Sequence, residues 1–174
     1  MFTNNWLKAI ANQVTNGGVK MTSVSGGVAT TVDNASPVLA LYKKADYANT
    51  PSMYALRTNY SSAGGVVIGN GTTEPAVTDY RLSGDVLSGY SYTSSVTREE
   101  TDEGATITAV YTITNNNTSA IQVSEIGLIA GSSNNNNESI KCLLERTVLD
   151  IPITIEPGGV GQVTYTVTVP FPTE

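Results

Sequence analysis

The chain has 174 residues, 40% hydrophobic and 14% charged, with a formal net charge of −6; this supplies one core of ordinary size and excludes the clustered Lys and Arg that a nucleic-acid backbone requires. It holds no histidine and one cysteine, Cys142, which removes His-based triads, Cys-His dyads, the common zinc sites and an internal disulfide. The abundance of Thr, Ser, Asn, Gly and Val predicts strands and turns more than helices.

In chain order, Trp6, Leu7, Ile10 and Val14 fall at helical spacing, with Thr3 or Asn4 able to cap the start and Gly17-Gly18 able to end the segment. An N-terminal helix or arm over residues 1–18 is expected, either packed on the domain or docked by its Trp6 face on a neighbouring subunit. It is followed by one domain over residues 19–174. The start "MFTNNWLKAIANQV" has neither a basic region nor a long apolar run, and no stretch reaches the roughly 18 apolar residues of a membrane helix. A soluble protein made in a cytoplasm, with no membrane partner, is the expectation.

The pattern then changes to period two. "PVLALYKKA" and "MYALRTNY" are candidate strands, with Lys43 and Lys44 at an exposed strand end. In "VVIGNGTTEPAVTDYRL", Gly69 and Gly71 resemble a phosphate-binding loop only superficially: no lysine follows, and Pro75 interrupts any helix. The two glycines are expected to take positive φ where a strand leaves the sheet, and "PAVTDYRL" to form a short capped turn that returns Tyr80 and Leu82 to the core.

Tyr90, Tyr92 and Val96 share one face of "YSYTSSVTREE", "TDEG" is a turn, and Ile107, Ala109, Tyr111 and Ile113 share one face of "ATITAVYTIT". This is an antiparallel hairpin. The acidic residues Glu99, Glu100, Asp102 and Glu103 are read as its solvated tip, since their spacing is not that of a helix-loop-helix calcium site. After the "NNNTS" turn, Ile121 and Val123 begin a strand whose apolar phase slips to Ile126, Leu128 and Ala130. A bulge near Glu125 and Gly127 explains the slip. Glu125, unless that bulge turns it outward, is buried and needs partners; backbone N–H groups of a nearby loop are the expected ones.

"GSSNNNNES", residues 131–139, is an exposed loop, Cys142 is a core residue, and Pro152 marks an edge strand or a break between strands. "EPGGVG" is a turn, and Val163, Tyr165, Val167 and Val169 alternate with Gln162, Thr164, Thr166 and Thr168 in the last strand. One-sided strands at short spacing predict an all-β fold, an antiparallel β-sandwich of jelly-roll or immunoglobulin-like type with a short N-terminal helix. No cofactor or metal site is expected, nor any catalytic residue.

Three segments together resemble the virion proteins of tailed bacteriophages: the glycine, Thr/Pro, Asp-x-x-Leu stretch "VVIGNGTTEPAVTDYRL", the Glu-Ile-Gly-Leu strand "VSEIGLIAG", and the ending "LLERTVLDIPITIEPGGVGQVTYTVTV". The resemblance covers residues 64 to 170. It implies a non-enzymatic virion component, synthesised in the bacterial host cytoplasm and of the capsid-decoration or tail, collar or fibre-attachment type. In such a protein Gly69, Gly71, Asp79 and Leu82 would shape a loop and Glu125, Gly127 and Leu128 a central strand. Its partners would be other virion proteins, such as the major capsid, tail or collar proteins. It would also form a homo-oligomer, a trimer or hexameric ring, held partly through Trp6, Leu7, Ile10 and Val14. The alternative is a carbohydrate-binding or host-receptor-binding β-sandwich module.

Overall fold

A computed structural model of the chain describes residues 1–8, 20–30, 64–101, 104–133 and 139–170. The expected strands "PVLALYKKA" and "MYALRTNY" lie outside these residues, as do Ile10, Val14, Asp102 and Glu103. Eight strands are present: β1 (Lys20–Thr22), β2 (Val28–Thr30), β3 (Gly64–Gly69), β4 (Tyr90–Thr101), β5 (Gly104–Asn115), β6 (Ile121–Ser133), β7 (Ser139–Ile155) and β8 (Val160–Pro170). Residues 4–8 are helical (α1). The protein is mostly β, and every strand pair is antiparallel.

Two three-stranded sheets, in the orders β3-β6-β7 and β4-β5-β8, accompany the β1-β2 ribbon. The hairpin β4-β5 runs in unbroken register from Tyr90↔Asn115 to Thr101↔Gly104. Its alternation decides which face packs: Ala109, Tyr111 and Ile113 are buried, while Ser91, Thr93, Ser95 and Thr97 are exposed. In β8, Val163 and Tyr165 pack against the same buried cluster and Gln162, Thr164, Thr166 and Thr168 are exposed. That cluster also takes Val66 and Ile68 from β3, Ile126, Leu128 and Ala130 from β6, and Cys142 and Leu144 from β7. Both three-stranded sheets therefore contribute to one apolar core. Tyr111 sits in it with edge-on contacts to Tyr92 and Tyr165, ring centroids 5.7 and 6.2 Å apart. Cys142 is fully buried, and burial pushes its thiol up to about 12.

The sheet β3-β6-β7 is covered on both faces. Opposite the main core, Leu82, Ile129 and Leu143 form a second buried cluster, joined by Val24 and Val67. This explains why β6 is buried at every position from Val123 to Ala130 instead of alternating.

β7 is the edge strand that Pro152 predicts, and it is also interrupted there. Ile153 pairs with Val123 and Val148 with Glu125, so residues 149–152 stand opposite Ser124 alone. The predicted loop 131–139 is shorter than expected, because Ser133↔Ser139 and Ser132↔Ile140 continue the ladder.

The N terminus runs along the outer side of β7. Thr3 N–H donates to Leu144 O (2.8 Å), Arg146 N–H donates to Met1 O (3.0 Å), and Phe2 bridges Glu145. The Thr3 hydroxyl is not the helix cap it was expected to be: it donates to Leu143 O at 2.7 Å, because β7 offers carbonyls on its open side. Trp6 is buried in the main core and stacks on Phe2 at 4.4 Å, whereas Leu7 is 64% exposed. Of the expected apolar stripe, one member packs inward and one faces solvent.

The β5-β6 turn is organised by Asn115, which is fully buried. Its Nδ2 donates to Ser119 O and Ile155 O, both at 2.9 Å, and its Oδ1 accepts from Asn117 N–H at 2.9 Å. Its backbone bonds Gly158 and Gly159, tying this turn to the β7-β8 turn, where Gly158 takes φ 72°. Asn115→Ala is expected to destabilise the fold by about 2 kcal/mol, since it strands a buried carbonyl. Urea unfolding followed by circular dichroism checks this.

Candidate functional site

The residues singled out in the first segment converge on one buried ionic centre. A register shift in β6 between Val123 and Glu125 moves the chain across the sheet plane. Val123 and Ile126 join the main core, while Glu125 points to the opposite face, where the loop following β3 covers it. The bulge does turn Glu125 away from the core, as its position allowed, yet the side chain is still fully buried. A second shift in β7, where Leu128 faces Glu145 but Ile129 faces Leu143, leaves Leu144 as the extra residue. Beyond it, Arg146 pairs with Gly127, near Glu125.

Glu125 Oε1 accepts from Ser83 N–H (2.8 Å) and from Arg146 Nε, and its Oε2 accepts from Gly84 N–H (3.2 Å). Arg146 Nη1 donates to Asp79 Oδ2 and Nη2 to Thr73 O, each at 2.5 Å. Asp79 Oδ2 also accepts from Ala76 N–H at 2.8 Å, closing the turn 76–79. One guanidinium thus fastens two carboxylates and the carbonyl of a loop to β7. Burial alone would raise the Glu125 pKa; the Ser83 N–H, the Arg146 guanidinium and the Gly84 N–H outweigh it and hold the carboxyl below its ordinary value.

The loop approaches so closely that side chains are excluded. Gly69 and Gly71 do not take positive φ; the positive-φ glycines among the described residues are Gly26, Gly65, Gly89 and Gly158. What Gly71 supplies is clearance: a Cβ there would overlap Ser83 Oγ and Glu125 Oε2 and lie 2.5 Å from Gly84 N. At Gly69 it would lie 2.8 Å from Leu82 Cδ1 and 3.1 Å from Glu125 Oε2. Gly127 is crowded by Leu143 and Leu82, and Leu128 packs into the main core. Gly71→Ala is expected to destabilise by about 2 kcal/mol through forced displacement of the Glu125 bonds, which a shift of the thermal midpoint would show.

A second polar group lies on the other side of β7. Glu145 Oε1 accepts from the Met1 ammonium (2.8 Å) and the Thr147 hydroxyl (2.6 Å), and Oε2 accepts from the Tyr165 hydroxyl (3.0 Å). Burial, then the neighbouring Glu145 charge, pushes the Tyr165 pKa upward. This group joins the N terminus, β7 and β8.

Sequence reasoning anticipated the kind of bond that Glu125 makes, while as site residues Asp79 and Leu82 were named only through the resemblance, as loop-shaping residues, and Leu82 packs in the second apolar cluster. Arg146 was missed, although an arginine inside "LLERTVL" with apolar residues on both sides signals a buried partner. Trp6 and Leu7 belong to the N-terminal segment and not to this centre.

Among the described residues no three His, Cys, Asp or Glu side chains are grouped to hold a metal ion, and no helix is long and apolar enough to cross a membrane. Glu99 and Glu100 are exposed on β4. A shallow cleft of about 190 Å³ is lined by Gly65, Val67, Tyr90, Tyr92, Ile129 and Lys141. Comparison with known protein families, with curated proteins and with solved structures gives no match to this chain.

Proposed function

We propose that this chain is a non-enzymatic structural component of a bacteriophage virion. It would be an accessory protein, either decorating the capsid or attached at the tail, collar or fibre, built as an antiparallel β-sandwich and working as a homo-oligomer. The observation that carries the reading is the ionic centre. The three segments that resemble virion proteins each contribute to it: Asp79 and the Thr73 carbonyl from the first, Glu125 from the second and Arg146 from the third. Their shared pattern is then one structural device, a loop locked to a sheet, and not three separate coincidences.

The same centre argues for a scaffold in place of an enzyme. Each ionised group of the centre is engaged in bonds within the chain, so none is presented to a substrate. A particle component uses surface, and the rigid loop 70–85 and the long strands offer it.

The test is the copy number of this polypeptide in purified particles, by quantitative mass spectrometry against the major capsid protein. Near-stoichiometric copies mean head decoration; a few to a few dozen mean tail, collar or fibre attachment. Absence from the particle overturns the reading.

A carbohydrate- or receptor-binding module is the second reading, favoured by the cleft between Tyr90, Tyr92 and Lys141. Tyr92 there lies directly over Gly65, where a Cβ would overlap its hydroxyl. Its ring is committed to backbone packing, which leaves less aromatic face for a sugar. Binding on a glycan array that is lost in Tyr90→Ala would favour this reading over the first.

A further inference from the structure

The sequence contains two Asn-Gly pairs, Asn16-Gly17 and Asn70-Gly71. The first lies outside the described residues; the second opens the loop that covers Glu125. Such a pair carries a chemistry of its own, because glycine has no Cβ to shield its backbone nitrogen. Once that nitrogen has given its proton to hydroxide, it can form a bond to Cγ of the preceding asparagine; the Cγ–Nδ2 bond breaks, ammonia leaves and a succinimide ring closes. Water then opens the ring. Cleavage at Cγ gives aspartate, whereas cleavage at the backbone carbonyl carbon gives isoaspartate, whose main chain runs through Cγ and is one carbon longer.

The fold holds both reacting groups of Asn70-Gly71 off this path. Asn70 Oδ1 accepts from Asp85 N–H at 2.8 Å, and Asn70 N–H donates to Asp85 O at 3.3 Å, so side chain and backbone of Asn70 are fastened to the same peptide. Gly71 is buried and seated against Ser83, Gly84 and the Glu125 carboxylate, without room for a Cβ. Ring closure requires the Asn70 side chain to turn and the Gly71 peptide to swing toward it, which breaks the bond to Asp85 N–H and drives Gly71 into packed neighbours. The Glu125 charge beside Gly71 also disfavours the amide anion that must form. Asn70 itself is exposed, so water and hydroxide reach it once the loop lifts.

The two products affect the loop differently. Aspartate at position 70 keeps the backbone length and an oxygen for Asp85 N–H. Isoaspartate lengthens the chain immediately before the tightest point of the loop, so Gly71 no longer fits its seat and Ser83 and Gly84 do not regain their bonds to Glu125.

We infer that Asn70 is a deamidation site gated by the loop. It is silent while Arg146, Asp79 and Glu125 hold residues 70–85 down, it reacts when the loop lifts, and the isoaspartate it forms prevents the loop from closing again. The lock thus guards a modification that would make its own opening irreversible. The inference does not depend on where the protein resides, so particle copy number bears on the proposed function and not on this gate.

The test is the full wild-type chain incubated at mildly alkaline pH, folded in buffer and unfolded in urea. Peptide mass spectrometry with fragmentation reads deamidation at Asn70 apart from Asn16, and methylation by an isoaspartyl methyltransferase reads isoaspartate. Deamidation at Asn70 is expected to be at least about tenfold slower in the folded chain. Asp79→Asn, which loosens the grip of Arg146 on the turn, should speed it in buffer by about threefold or more; if circular dichroism shows that this variant does not fold, wild type in urea below its unfolding transition replaces it, and the rate there should already rise. The isoaspartate fraction should melt below the wild type, while Asn70→Asp should melt close to it. Equal rates in folded and unfolded chain, no reaction in either, a rate indifferent to loosening of the loop, or an isoaspartate fraction that melts with the wild type would each overturn the inference.

Discussion

Replacing Arg146 by leucine is expected to destabilise the fold by about 4 kcal/mol, because a buried ion pair that loses one member leaves the other uncompensated. Glu125 is fully buried, and Arg146 is 1% exposed. Without the guanidinium, Glu125 keeps two backbone N–H donors and Asp79 keeps one, while the loop carbonyl at Thr73 loses the donor it has now. The double variant Glu125→Gln, Arg146→Leu is expected to lose clearly less than the sum of the single losses, since the residues act as a unit. Denaturant unfolding of the four proteins in this cycle measures the coupling.

The same centre sets an acid limit. The Glu125 pKa is lower in the folded chain than in the unfolded one. A group of this sign contributes stability that is fully present above its unfolded pKa of about 4.3 and lost as the pH falls through the folded value. The wild type should therefore unfold progressively more easily below about pH 4.3, and Glu125→Gln should flatten this acid limb while lowering stability at neutral pH. Unfolding midpoints measured across the acid range give both slopes.

Trp6→Ala is expected to reduce stability by about 3 to 4 kcal/mol, the range for removing a large aromatic side chain from a core. The residue belongs to the main buried cluster and stacks on Phe2. A loss of this size in dilute protein would mean that the N-terminal segment is part of its own domain. A loss that appears only as subunits dissociate would mean that the segment serves a neighbour. Thermal unfolding at two protein concentrations separates the cases, because only the second depends on concentration.

Much of the sheet structure was legible in the sequence, and the reason is periodicity. β4, β5 and β8 alternate cleanly because one face of each meets the core and the other meets water, so Tyr92, Tyr111 and Tyr165 could be placed from parity alone. β6 resisted, since both of its faces are buried and its two register shifts change parity within a few residues. The slip at Ser124 was visible as a change of apolar phase; the one at Leu144 was not, because Cys142, Leu143 and Leu144 are all apolar and show no phase.

The site divided along similar lines. Glu125 announced itself as a carboxylate in an apolar run, and the need for donors followed from desolvation. Its partner Arg146 did not, because the contact spans 21 residues and depends on two bulges acting together. Gly69 and Gly71 were assigned a φ role because glycine in a loop is usually read that way. The loop is instead pressed against Gly84 and the Glu125 carboxylate, and such proximity cannot be read from local composition.

The pairing of residues 1–3 with β7 sets an order of events during synthesis. Met1 and Glu145 are 144 positions apart, so residues 1–3 lack their partners until the first half of β7 has emerged from the ribosome. β5 likewise receives one neighbour, β4, before it is made and the other, β8, only some fifty residues later. During translation the nascent chain thus presents an unfinished sheet and an unpaired stretch at residues 1–3. A shielding factor, or slow emergence of β7 and β8, would have its greatest effect on yield in that interval.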